Sequence, residues 1–130
     1  MRSFDTNVAV RLIILDDPAQ CDAAARAFRD AAAAGGAFFA TTVLVEVAWV
    51  LRVAYRAAIA EALRRLTATV GVVTEHAALV ARALSAYEQG TADFSDDVSR
   101  ESSREAAAIP VVTFDRRFAE GLDVAPLQLT

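Results

Sequence analysis

Short apolar runs alternate along the chain with longer stretches whose apolar residues recur every three or four positions, a rhythm that predicts strands interleaved with helices. RSFD at 2–5 is a brief strand candidate and leads into an amphipathic segment, VAVRLIIL. Asp17-Pro18-Ala19-Gln20 then sets a carboxylate at an N-cap, a proline at the first helical position and a glutamine three residues on. A helix is expected from Pro18 to about Ala34, stopped by Gly35 and Gly36. AFFA reads as a second strand, and Thr41 or Thr42 would cap a helix carrying VLVEVAWVLRVAY. AAIAEALRRLTAT supplies the next helix, with Gly71 and a very short strand at Val72 and Val73 behind it. Thr74 would cap a helix ending near Gly90, Asp93 would open another, and PVVTF reads as a buried strand. This alternation predicts an α/β layered fold with a mainly parallel sheet. There is no internal repeat, and AAAAGG reads as a helix end and turn.

A length of 130 residues fits a single domain spanning 1–130. Apolar residues make up 55% of the chain, but 30 of them are alanine, so the bulk available for a core is modest. The mean hydropathy of +0.34 is nonetheless high, which predicts that some apolar surface is covered by another chain. The longest apolar stretch, VLVEVAWVL, is interrupted by Glu46 and falls well short of the roughly 18 residues that a membrane span needs. With an acidic residue already at position 5 and no apolar leader, the cytoplasm is the expected compartment. The lone Cys21 reads as a small buried thiol and not as a reactive one.

Charge narrows the chemistry further. All 13 basic residues are arginine, so P-loop and Schiff-base mechanisms, which need lysine, are excluded. One histidine, His76, leaves little scope for a Ser-His-Asp arrangement or a zinc site, and no role is assigned to it. Any catalysis must rest on carboxylates. The net charge of −4 argues against gripping nucleic acid over the whole surface, although clustered arginines would still make a local phosphate track.

Asp5 follows directly on the first strand candidate and Asp115 on the PVVT strand, positions from which both would face a ligand crevice if the two strands were neighbours. Glu46 sits within VLVEVAWVL, where an ionised carboxylate is expensive unless paired or metal-bound; the alternative is that the helix turns it to solvent. Asp93, Asp96 and Asp97 cluster in ADFSDD, where helix capping accounts for Asp93, with Asp96 at N3, but not for all three. Oxygen ligands without His or Cys suit a hard cation, Mg²⁺ or Mn²⁺. The matching chemistry is phosphodiester hydrolysis, in which a metal activates water and neutralises charge on the phosphate.

FDTNVAVRLIILDDPAQ, VLVEVAWVLRVAY, ADFSDD and VVTFDRRFA, in that order, resemble the signature segments of PIN-domain proteins, specifically the VapC-like toxins of type II toxin–antitoxin systems. The resemblance implies a Rossmann-like α/β/α sandwich with a mainly parallel central sheet. It further implies a Mg²⁺-dependent endoribonuclease acting on RNA, a homodimer, and a cognate antitoxin as partner. By motif position the family's acidic residues fall on Asp5, Glu46, Asp96 and Asp115, as metal ligands and catalytic groups, with Glu46 a ligand or an orienter of the attacking water. Thr6, Asn7 and Thr113 would then orient ligands or substrate. The chain departs from the family pattern after Asp96, in DVSRESSREAAAIP, where small and apolar residues are usual. Arg100, Glu101, Arg104 and Glu105 of this segment read as a solvated face.

Two other readings compete. The same acidic site would serve DNA or flap substrates, or the chain would be a non-catalytic PIN-like dimer whose acidic pocket receives a basic partner segment. Arginines must supply the RNA contacts, and Arg11, Arg52, Arg56, Arg116 and Arg117 lie nearest the acidic segments, with surface salt bridging as the alternative for each. Trp49 and Tyr55 are expected in the core or a dimer contact. Asp97, about 100° around the helix from Asp96, is expected to contribute only a little helix-dipole stabilisation.

Overall fold

A computed structural model of the chain describes residues 1–129, packed as two compact units, the first running to Ala77 and the second from Ala78 onward. In the first unit, β1 (Arg2–Ser3), α1 (Thr6–Ile13), α2 (Pro18–Ala33), β2 (Ala37–Phe39), α3 (Thr41–Val50), α4 (Arg56–Ala68) and β3 (Val72–Thr74) follow one another. Its sheet has the order β1-β2-β3, all parallel, with Arg2 opposite Ala37 and Ala37 opposite Val72. The core is aromatic at the sheet: Phe4 and Phe39 stack with ring centroids 5.8 Å apart, and Phe28 of α2 stands 6.3 Å from each. Leu44, Val47, Ile59 and Leu63 extend it beneath α3 and α4.

Local chemistry explains the boundaries. Asp17 caps α2 through Gln20 N–H at 3.1 Å, as expected. At the other end, Gly36 donates to Ala31 O from a left-handed conformation, φ +124°. Gly71, at φ +89°, lies so close to α2 that a Cβ would stand 2.6 Å from Ala32 O. Cys21 is buried, its thiol directed at Ile14 O.

The helix expected through Tyr55 instead stops at Val50, where short-range bonds from Arg52 N to Trp49 O and from Ala54 N to Leu51 O tighten the chain into a turn. Arg52 closes that end, donating to Trp49 O at 3.0 Å with its guanidinium 4.4 Å from the indole centre. Trp49 and Tyr55 are exposed, so the core reading of them fails. Neither Thr41 nor Thr42 caps α3: Ala40 holds the cap position without a side-chain bond. Glu75, just beyond β3, accepts from Thr41 N–H at 2.9 Å and takes over that task. The same hydrogen bond holds the Glu75 carboxyl below its ordinary pKa. Thr74 is the last residue of β3, not a cap; the next helix begins at Ala77 after His76 in a left-handed conformation.

In the second unit, α5 (Ala77–Gln89), α6 (Phe94–Glu105), β4 (Val111–Thr113), a 3₁₀ turn (Phe118–Glu120) and β5 (Val124–Pro126) follow. β4 and β5 pair in parallel, Val111 opposite Val124. Every strand pairing among the described residues is thus parallel, as the α/β reading requires, with three strands in the sheet of the first unit and two in that of the second. Leu79, Val80, Leu84, Tyr87, Phe94 and Phe118 are buried, with Tyr87 edge-on to Phe94 at 5.7 Å. Among the described residues no helix is long and apolar enough to cross a membrane.

Candidate functional site

In the first unit, burial of Phe4 among Phe28 and Phe39 anchors the end of β1, and the next residue, Asp5, emerges exposed at the carboxyl end of the strand. Asp5 Oδ1 accepts the N–H of Val8 at 3.0 Å and so caps α1. Thr6 Oγ1 donates to Glu46 Oε2 at 3.0 Å, bringing the start of α1 to the middle of α3. Glu46 is therefore both turned out of the apolar helix face and partnered. Asp5 and Asn7 also line a cleft of about 570 Å³ with Arg2, Arg11 and Gln20. Arg11 is held there by Gln20 Oε1 at 2.6 Å and by Asp16 at 3.3 Å.

In the second unit, Asp93, Asp96 and Asp115 line one pocket of about 240 Å³, together with Thr91, Arg117 and Phe118. Asp93 occupies the N-cap of α6 by its backbone, which accepts from Asp96 N–H at 3.0 Å, but its carboxylate makes no capping bond, contrary to expectation. Asp96 is half-buried. Its pKa is raised, first by burial and then by the negative charges of Asp93 and Asp115. Asp115 is fixed by its surroundings: its N–H donates to Thr113 Oγ1 at 3.0 Å, and its Oδ1 accepts from Arg117 N–H at 2.9 Å and Phe118 N–H at 3.2 Å. Buried Phe118 pins that turn, and Thr113 has the orienting contact expected of it.

Asp97 faces elsewhere, as its position on the helix requires, but it is not a surface residue. It is 2% exposed and pairs at 3.0 Å with Arg100, itself 8% exposed. Glu101, 4% exposed, accepts from Arg104 at 2.7 Å and lies 3.4 Å from Arg82, which also holds Glu105. Arg104 reaches on to Asp123 at 2.7 Å, a bond that raises its pKa. The expected solvated face of α6 is thus buried at Arg100 and Glu101, half-buried at Arg104 and solvated only at Glu105, with ion pairs along it. The three-residue spacings Asp97–Arg100 and Glu101–Arg104 were a signal for it; the roles of Arg82 and Asp123 had none.

The structure thus brings Thr6 to Glu46 beside Asp5, and Asp96 to Asp93 and Asp115. Among the described residues, no three His, Cys, Asp or Glu side chains are gathered closely enough to hold a metal ion as they stand. The donor chemistry nevertheless fits a hard cation: the groups are carboxylates, and Mg²⁺ is commonly bound through one or two carboxylates while keeping several waters. Of the arginines, Arg117 lines the acidic pocket, whereas Arg116 lines another with Phe114, Pro126 and Leu127.

No curated protein and no solved structure matches the chain significantly. The family model described as the PIN domain matches residues 3–121, which takes in Asp5, Glu46, Asp93, Asp96 and Asp115. PIN domains are typically metal-dependent nucleases, with nucleic acid as substrate. A match over nearly the whole length, on an α/β fold with parallel strands, makes the chain a member of the PIN-domain family.

Proposed function

We propose that the chain is a Mg²⁺-dependent endoribonuclease, with Mn²⁺ as a possible substitute, and the toxin of a toxin–antitoxin pair. The observation that carries this reading is the crowding of Asp93, Asp96 and Asp115 into one pocket, where burial and mutual repulsion raise the pKa of Asp96. Carboxylates held against their own repulsion are poised to accept a cation. By the family's motif positions, Asp5, Glu46, Asp96 and Asp115 are the residues proposed to hold it. When bound, the cation would activate water and offset the charge that develops on the phosphate. Within the chain, Thr6 fixes one oxygen of Glu46, leaving the other to orient water. The amides of Arg117 and Phe118 fix one oxygen of Asp115 and leave the other for a ligand. Hydrolysis in line would leave a 5′-phosphate and a 3′-hydroxyl.

The proposed partners are RNA, a cognate antitoxin and a second copy of the chain. Exposed Trp49, Val50, Val53 and Tyr55 support an apolar contact with that copy. Light scattering at micromolar concentration should give a mass above the 13.8 kDa of one chain. A small neighbouring reading frame encoding a DNA-binding protein with a basic tail would support the toxin assignment. The decisive test is cleavage of RNA by the purified chain, abolished by EDTA and restored by Mg²⁺ or Mn²⁺, with the Asp5→Asn chain as a control for contaminating nucleases. Full activity after thorough chelation would overturn the proposal.

A further inference from the structure

We propose that Arg117 binds a backbone phosphate of the RNA at the acidic pocket, and that its neighbour Arg116 takes no part. This deepens the ribonuclease reading and rests on it. The pocket that holds Asp93, Asp96 and Asp115 is lined by one arginine, Arg117. Three carboxylates share the pocket with it, yet none lies within ion-pair distance of its guanidinium among the described residues.

The Arg117 guanidinium is thus not tied up by the carboxylates that share its pocket. An acidic pocket repels a phosphodiester, and a guanidinium at its edge supplies the opposite charge in a planar fork that matches two phosphate oxygens.

The backbone fixes where that fork starts. Arg117 N–H donates to Asp115 Oδ1 and the next residue, Phe118, is buried, so the Arg117 Cα is set beside Asp115 whatever its side chain. Arg116, one residue earlier, lines a different pocket with Phe114, Pro126 and Leu127. Other arginines are already engaged: Arg11, Arg52, Arg65, Arg82, Arg100 and Arg104 all have partners on the protein.

The test uses the full chain carrying Asp5→Asn, which stops turnover while asparagine still caps α1. Binding of a fluorescent single-stranded RNA is measured over a range of NaCl for this chain alone and with Arg117→Ala, Arg117→Lys or Arg116→Ala added, with folding checked by circular dichroism. Arg117→Ala should weaken binding about tenfold and reduce the slope of log affinity against log salt by about 0.7, the value for one phosphate contact on a single strand. Arg117→Lys should restore the slope but only part of the affinity, and Arg116→Ala should change neither. In the chain with Asp5 intact, Arg117→Ala should lower the cleavage rate, whereas Arg116→Ala should not. An unchanged slope for Arg117→Ala, or an equal loss for Arg116→Ala, would overturn the inference while leaving the ribonuclease reading in place. Absence of both RNA binding and RNA cleavage would overturn the two together.

Discussion

Around Asp5 and Glu46 the supports are hydrocarbon: Phe4, Phe28 and Phe39 pack under the end of β1, and Leu44 and Val47 bury the inner face of α3. Around Asp96 the supports are charged, for the helix that presents it buries Asp97, Arg100 and Glu101. Dispersion and the hydrophobic effect hold the first pair with little dependence on direction. Ion pairs hold the second with strong dependence on direction, since a buried charge turned away from its partner is costly. The difference bears on ADFSDD. Two adjacent aspartates are sorted because Arg100 claims Asp97 and thereby fixes which way Asp96 looks.

The largest expected effect tests that sorting. Asp96→Asn, Asp115→Asn and Asp5→Asn should each reduce RNA cleavage by two orders of magnitude or more, on the order of what losing a charge from a metal site costs. Asp97→Asn should retain most activity per folded molecule while lowering stability, which rates normalised to the folded fraction would reveal. Loss of activity in Asp97→Asn with no loss of stability would reverse the assignment.

Next come two core substitutions that contrast the supports, both read by urea unfolding. Phe39→Ala should cost about 3–5 kcal/mol through lost burial and the cavity left behind. Arg100→Met should cost about 3 kcal/mol by stranding Asp97, whereas the double variant Asp97→Leu/Arg100→Met should recover much of that loss. No compensating apolar pair is available for Phe39, so a recovery confined to the ion pair would sharpen the contrast.

A smaller effect concerns Asp96 itself. Its folded pKa is raised, so between the ordinary aspartate value and the raised one the folded chain keeps a proton that the unfolded chain has released. Stability from this group therefore falls as pH rises through that window and stays lower above it. At neutral pH in EDTA, Asp96→Asn should melt a few degrees higher than the parent. Added Mg²⁺ should stabilise the parent more than the variant, because only the parent retains the ligand. The smallest change is Asp17→Ala, which removes the cap of α2 and should cost about 1 kcal/mol without altering RNA cleavage.

Much of this architecture was legible in the sequence where short-range chemistry decides it. Asp17-Pro18 and Gly35-Gly36 mark the limits of α2 because caps and left-handed turns act over a few residues. The carboxylates at the ends of β1 and β4 were readable for the same reason. α3 was read too long because nothing in VLRVAY shows that Arg52 folds back over Trp49. β5 was missed because two half-buried residues and an exposed proline carry no strand signal. The burial of α6 was hard to read because SRESSRE is polar at every position: its three-residue spacings hinted at the pairs within the helix, but Arg82 and Asp123, each 19 residues from its partner, left no signal. Which of two adjacent arginines faces the acidic pocket is likewise set by the turn after Asp115, not by composition.

The carboxylate of Glu75 has a consequence for the order of events during synthesis. The first turn of α3 carries no cap of its own, and the group that serves it lies 34 residues further along the chain. A polypeptide emerging amino end first therefore exposes residues 41–50 before their terminus can be closed. Val72–Thr74, paired with β2, places Glu75 beside that terminus. Glu46 lies on that helix, four residues beyond Thr42 and within reach of Thr6. In a nascent chain the helix that carries Glu46 thus lacks this partner for its first turn until Glu75, more than halfway along the sequence, has been made.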